Sequence, residues 1–118
     1  MATRNIAAID LGAESGRVIL ARFDGQNLDL EEVHRFPNQP VMVRGHRFWN
    51  MPGLWNEVLA GLRRARQLAG TLDSVGVDGW GVDYGLVDSN GLLLGLPFQY
   101  RDQRTYGVME QVFARVPH

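Results

Sequence analysis

Hydrophobic positions first run together in Asn5-Ile6-Ala7-Ala8-Ile9-Asp10-Leu11, a short segment closed by Gly12, which predicts a buried strand. After the small-residue turn Gly12-Ala13-Glu14-Ser15-Gly16, residues Arg17 to Asp24 form a second apolar run that closes a hairpin on the first. Leu28 to Phe36 alternates as a third strand, and its charges at Asp29, Glu31, Glu32 and Arg35 suit a sheet edge. Residues 37–50 are loop-like, with a small hairpin between Val41-Met42-Val43 and His46-Arg47-Phe48-Trp49.

The period then changes. Leu54, Val58, Leu62, Ala65 and Leu68 or Ala69 recur at three- and four-residue spacing, the buried stripe of a helix. Asn50 suits its cap, Pro52 its first turn and Gly70 its end. Arg63, Arg64 and Arg66 fall away from the stripe, onto a solvated face. Ser74-Val75-Gly76-Val77-Asp78 is the next strand, and the intervening helix predicts that it runs parallel to the first. Gly85-Leu86-Val87 and Leu92-Leu93-Leu94 flank Asp88-Ser89-Asn90-Gly91, whose Asn-Gly pair signals a hairpin. A last helix is expected from Thr105 to about Val116, with Val108, Met109, Val112 and Val116 facing in. Three strands in meander, a crossover helix and a parallel strand make a ribonuclease-H-like order. The expected fold is α/β, a mixed sheet with helices packed on it. One incomplete domain, 1–118, is expected, because Pro117-His118 follow the last helix where another strand should begin.

Composition narrows the partners. The 118 residues carry a net charge of -1, which supplies no basic excess for nucleic acid or an anionic membrane. No apolar run approaches the length that spans a bilayer, and the first residues lack a cleavable-signal pattern. Cysteine is absent, compatible with a reducing cytosol. All 12 basic residues are arginine, so this chain holds neither a Walker-A lysine nor a Schiff-base lysine.

Two segments concentrate chemistry. In Asp10-Leu11-Gly12-Ala13-Glu14-Ser15-Gly16-Arg17 a strand delivers a carboxylate and a tight turn presents backbone N–H groups, an arrangement suited to phosphate oxygens. Asp10 could hold Mg²⁺, and Ser15 and Arg17 could add donors; an ordinary glycine hairpin explains the same spacing. The charge of Glu14 would repel a phosphate unless its side chain points outward. The second segment is Val77-Asp78-Gly79-Trp80-Gly81-Val82-Asp83-Tyr84-Gly85, at the end of the parallel strand, where ligands of open α/β sheets lie. Trp80 or Tyr84 could stack on a sugar ring, Asp83 could accept hydroxyl hydrogen bonds and Gly81 could leave room; a glycine-kinked strand with buried aromatics is the plainer alternative. Tyr100-Arg101-Asp102-Gln103-Arg104-Thr105 is explained by an Arg-Asp pair and a helix cap, with a sugar-cleft role open beside it. His34, His46 and His118 share no metal-ligand spacing.

At these residues a resemblance enters. The segment Ala8 to Arg17 resembles the first hairpin of the FGGY carbohydrate kinases, within the actin and chaperone ATPase superfamily. Glu32 to Phe36, Ser74 to Asp78, Trp80 to Asp83 and Gly95-Leu96-Pro97 followed by Tyr100-Arg101-Asp102 and Arg104-Thr105 are similar, in order, to the branch acting on L-rhamnulose. The resemblance implies an ATP-dependent, cytoplasmic sugar kinase that transfers the γ-phosphoryl group to O1 of L-rhamnulose. It implies that Ala13, Glu14, Ser15, Gly16 and Arg17 contact ATP phosphates and that Asp10 helps place Mg²⁺. It also implies that Gly81, and more weakly Asp83, meet the sugar. Gly79 and Gly85 depart from the family pattern, which has threonine and a larger apolar residue there. The catalytic base, the adenine pocket and a second domain are implied to lie beyond residue 118, in the remainder of the kinase chain, so this stretch alone is expected to be inactive.

Other readings stay open. Asp10, Glu57 and Asp78 could mimic the metal-binding carboxylates of a ribonuclease-H-like nuclease, although the chain lacks a basic excess. Another FGGY ketose or polyol kinase, or a non-catalytic remnant, would share the fold order.

Overall fold

The structure is a computed structural model and describes residues 2–116. The expectations placed on Pro117 and His118 lie outside the described residues. The chain divides into two compact units, Met1–Gln39 with Met51–Gly81, and Pro40–Asn50 with Val82–His118.

The first unit is a four-stranded mixed sheet and one long helix. Strands β1 (Arg4–Leu11), β2 (Ser15–Phe23) and β3 (Leu28–Pro37) form the expected antiparallel meander. After the short strands β4 (Val41–Val43) and β5 (His46–Phe48) of the other unit comes α1 (Met51–Ala69), then β6 (Ser74–Asp78), parallel to β1. The sheet order is β3-β2-β1-β6, as the crossover helix requires. Ala7 faces Leu20 and Ile9 faces Val18 across the β1–β2 pair, and these four join Val33, Val58 and Ala65 in one buried cluster. Fully burying side chains of the size of Val18 or Leu20 stabilises the fold by about 1.5–3 kcal/mol each.

Three local devices fix this packing. The β2–β3 register shifts between Val18 and Ile19, so Val33 sits in a bulge. That extra residue lets both Val33 and Phe36 be buried on a strand whose simple alternation would separate them. The helix buries Leu54, Val58, Gly61 and Ala65, so the stripe runs through Gly61 where the sequence pattern suggested Leu62. Leu62 and Ala69 pack against its margin, whereas Leu68 is exposed. Gly70 ends the helix as expected, at φ 77, its N–H donating to the Arg66 carbonyl at 2.8 Å.

The second unit is organised around β5. Strands β4 and β5 pair across Arg44-Gly45, both at positive φ (50 and 83), the backbone of a tight two-residue hairpin. The segment 97–99 then lies antiparallel to β5: the Trp49 N–H donates to the Pro97 carbonyl, and the Gln99 N–H to the Arg47 carbonyl. The Phe48 and Phe98 rings meet at 4.5 Å. The hairpin expected at 85–94 reduces to a single bridge, Val87 with Leu93, closed by the Asp88–Gly91 turn with Gly91 at φ 80.

The last helix is shorter than its pattern suggested. A single 3-10 turn, Gln103–Thr105, precedes Gly107 at φ 74, and only Val108–Phe113 is α-helical (α2). A left-handed residue cannot continue a right-handed helix, so Gly107 divides the segment. Val108, Met109, Val112 and Val116, expected to face a core, are exposed among the described residues.

Candidate functional site

The β1–β2 register sets Asp10 directly opposite Arg17 and Leu11 opposite Gly16, leaving Gly12 to Ser15 as the connecting turn. Directly opposed residues on one sheet face are close enough to pair. Accordingly Arg17 donates from Nε to Oδ2 of Asp10 at 2.9 Å, and its Nη2 lies 2.8 Å from the same oxygen as an ion pair. The two residues that the sequence assigned to metal and phosphate are therefore bonded to each other, with Oδ1 of Asp10 directed elsewhere.

The turn is narrow. The Gly12 N–H donates to the Ser15 carbonyl at 2.9 Å, which removes it from the amides that could meet an anion. Ala13 is half-buried, Glu14 and Ser15 are exposed, and Gly16 is buried. Sequence reasoning missed Asn38, which immediately follows β3 in a stretch read as loop. Its backbone N–H donates to the Glu14 carbonyl at 2.9 Å and its Nδ2 to the Gly12 carbonyl at 2.8 Å. Asn38 is 3% exposed, and its buried Oδ1 meets no hydrogen-bond partner among the described residues. No feature of the linear sequence marks it, because its partners lie about 25 residues earlier and are backbone atoms.

The carboxylates proposed for a nuclease do not assemble. Asp78 sits beside Asp10 in the parallel register, but Glu57 Oε2 lies 2.6 Å from His34 Nε2, between α1 and β3. Among the described residues no three metal-ligating side chains gather. Two neighbouring carboxylates at strand ends suit Mg²⁺, which keeps several waters and commonly takes one or two protein ligands plus phosphate oxygens.

At the end of the first unit Gly81 is exposed, and a Cβ placed there would meet no atom of the described residues within 4 Å. In the second unit Asp83 Oδ2 accepts hydrogen bonds from the Trp49 indole N–H and, at 3.1 Å, from the Tyr100 N–H. Asp83 also borders an open cavity of about 230 Å³, with Tyr84, Leu94, Phe98 and Arg104 among its other walls. The Arg104 guanidinium lies over the Phe98 ring at 4.3 Å.

Asp102 is the other hub of this unit. Only 1% exposed, it accepts from the Arg47 N–H at 2.6 Å, from the Arg104 N–H at 3.0 Å and from His46 Nδ1 at 3.2 Å. Burial would raise its pKa, but the two backbone donors and the His46 imidazole prevail and hold it at about 2. Asp102 thus caps the 3-10 turn through the Arg104 N–H, while the Arg104 side chain approaches it only at 3.9 Å. The last helix, α2, begins at Gly107 without the side-chain cap expected for it.

Known proteins resemble this chain at two levels. No protein-family model matches it. Rhamnulokinase from Mannheimia succiniciproducens is 50% identical over 118 residues, covering 98% of this chain and 24% of that protein. Rhamnulokinase from Bacteroides thetaiotaomicron is 42% identical over 113 residues, covering 96% of this chain and 23% of that protein. The chain spans about a quarter of the length of the curated relatives it matches. Among solved structures, xylulose kinase from Rhodospirillum rubrum superposes with a TM-score of 0.73 at 20% identity, over 97% of this chain and 24% of that one. Gluconate kinase from Lactobacillus acidophilus gives 0.76 at 12% identity, over 97% and 23%. The fold is the mixed α/β arrangement of sugar kinases, and the sequence is like that of rhamnulokinases over nearly all of its length.

Proposed function

We propose that this chain is the N-terminal part of an ATP-dependent carbohydrate kinase that phosphorylates L-rhamnulose in rhamnose catabolism. The observation that carries the reading is the 50% identity to a rhamnulokinase across 98% of the chain. Residues 1–118 are proposed as part of one kinase domain, acting with the remainder of the kinase chain in the cytoplasm, where ATP is supplied. No helix among the described residues is long and apolar enough to cross a membrane.

The residues divide into proposed roles. Ala13, Glu14, Ser15, Gly16 and Arg17 form the phosphate turn, with the backbone amides of Ala13 and Ser15 as its principal donors. Glu14 is exposed, and its side chain is proposed to point away from the anion. Asp10 is the proposed carboxylate for Mg²⁺, directly or through water, using the Oδ1 that Arg17 leaves aside. When bound, the ion would neutralise charge that develops on the transferring phosphoryl group. Arg17 then serves twice: it holds Asp10 in one orientation and brings a positive charge beside the turn. Gly81 is proposed to line the sugar site, and Asp83 to accept a sugar hydroxyl at Oδ1, since its Oδ2 is engaged by Trp49 and Tyr100.

The test is ADP release by the full-length kinase carrying this segment, with L-rhamnulose, D-xylulose and D-gluconate as acceptors. L-rhamnulose should give the highest kcat/KM by at least tenfold. Equal or better turnover of another acceptor would reassign the substrate, and no sugar-dependent ADP release would remove the kinase reading. The 118-residue chain alone should be inactive, because general-base loss by itself typically costs about 10²–10⁴-fold.

A further inference from the structure

We infer that Asn38 is a positioning residue that presets the phosphate turn by fixing two of its peptide planes. The inference rests on the kinase reading above and names a residue outside the Ala13 to Arg17 segment. In a planar trans peptide the carbonyl and the following N–H point to opposite sides. No peptide bond described here is cis. Asn38 draws the Gly12 carbonyl toward its Nδ2 at 2.8 Å and the Glu14 carbonyl toward its own N–H at 2.9 Å. The N–H groups on the far sides of those two planes belong to Ala13 and Ser15. Both are therefore held on the side away from Asn38. Without that clamp the planes of a short exposed turn could rotate, and an arriving anion would have to order them at a cost to affinity.

The side chain is suited to this task and poorly suited to simple packing. Aspartate would place a carboxylate oxygen against the Gly12 carbonyl, and an apolar residue would release that plane. Yet the buried Oδ1 meets no partner among the described residues, whereas most buried polar atoms are hydrogen-bonded. An apolar residue would remove that unpaired oxygen at the cost of the one hydrogen bond to the Gly12 carbonyl. Stability alone therefore gives little reason for an amide at this position. Preorganisation of the turn does.

The experiment uses the full-length kinase and the variants Asn38→Asp, Asn38→Ala and Asn38→Ser. All three keep the backbone N–H to Glu14 and alter the bond to Gly12. Dissociation constants are measured for Mg-ATP, for inorganic tripolyphosphate and for adenosine, beside thermal midpoints and steady-state kinetics. Asn38→Asp and Asn38→Ala should bind Mg-ATP and tripolyphosphate about tenfold more weakly, the scale of one lost hydrogen bond. Adenosine affinity and the sugar KM should hold, and the loss should appear in the KM for ATP rather than in kcat at saturation. Asn38→Ser, which retains a shorter donor, should recover part of the affinity. Wild-type phosphate affinity in all three variants would overturn the role of Asn38 and leave the kinase reading standing. Parallel losses of adenosine affinity, phosphate affinity and melting temperature would make Asn38 merely structural. Failure of the unmodified enzyme to bind Mg-ATP would overturn the kinase reading itself.

Discussion

Gly16 lies directly beneath the Phe36 ring: a Cβ built on it would stand 2.3 Å from Cζ and 2.4 Å from Cε2. Neither Gly16 nor Gly12 has a positive φ, so close approach rather than backbone conformation demands glycine at both positions. At Gly12 the obstacle is backbone, the Ser15 carbonyl oxygen at 2.7 Å. Two glycines that look equivalent in the sequence thus do different things. One seats β2 against a β3 aromatic, and the other lets the turn close.

Gly16→Ala should therefore destabilise the protein by about 1–3 kcal/mol, as overpacking does. Phe36→Leu in the same chain should recover much of that loss, because the clashing ring atoms are gone. Urea denaturation of the two single variants and the double variant measures the coupling. Independent, additive effects would show that the ring is not what excludes a side chain. Gly16→Val is consequently a poor probe of phosphate binding, since it perturbs the fold first.

Asp102 should govern acid stability of the second unit. Its folded pKa of about 2 lies below the ordinary 3.8, so the unfolded chain binds a proton more readily than the native one. The stabilising contribution is therefore complete above about pH 5. It declines as pH falls through 3.8 toward 2. Asp102→Asn should be less stable than wild type at neutral pH, with the gap narrowing across that window. Near-ultraviolet circular dichroism, which senses the packing around Trp49, would follow it. A constant difference between the two proteins from pH 6 to pH 2 would refute the assignment.

Much of this was legible from residue pattern, and the exceptions have physical causes. The strand order followed from β1, β2, β3 and β6 being short apolar runs separated by turn residues and one helix. The helix stripe was displaced because hydrophobicity cannot flag Gly61, whose value is the absence of a side chain: a Cβ there would lie 2.3 Å from Val18 Cγ2. The last helix is shorter than its pattern because apolar periodicity does not register Gly107, whose left-handed φ divides the segment. In the site, Asp10 and Arg17 were legible as chemistry but not as a pair, since their bond depends on the hairpin register. Asn38 was invisible for a related reason: its meaning lies in backbone carbonyls brought to it by the sheet.

Asp83 should prove as important to folding as to any ligand. Trp49 is 1% exposed, and its indole N–H donates to Asp83 Oδ2. Asp83→Ala removes that acceptor and also the acceptor for the Tyr100 N–H, so a loss of about 1–3 kcal/mol or more is expected. Asp83→Asn, which keeps a carbonyl oxygen, should lose less. In a Trp49→Phe background Asp83→Ala should cost less than in wild type, because the donor is already absent. Chemical denaturation of the four proteins decides it, and equal costs in both backgrounds would break the proposed link.

Gly81 offers the cleanest separation of fold from function. Its position is exposed, its φ is not positive and a Cβ would meet nothing within 4 Å. Substitution there therefore creates neither a clash nor backbone strain within the described residues. Gly81→Ala should change stability by no more than about 0.5 kcal/mol, as surface substitutions usually do. Gly81→Arg should also fold, since its long side chain can stay in water. If Gly81 borders the ketose in the full-length kinase, the arginine will occupy space the sugar needs. The KM for L-rhamnulose should then rise at least tenfold, or turnover should vanish, while Mg-ATP affinity and basal ATP hydrolysis persist. Steady-state kinetics and thermal midpoints of the two variants, measured side by side, distinguish the causes. A Gly81→Arg enzyme with wild-type melting temperature and wild-type sugar KM would place the sugar elsewhere; one that melts early would show that the open space at Gly81 is filled in the complete protein.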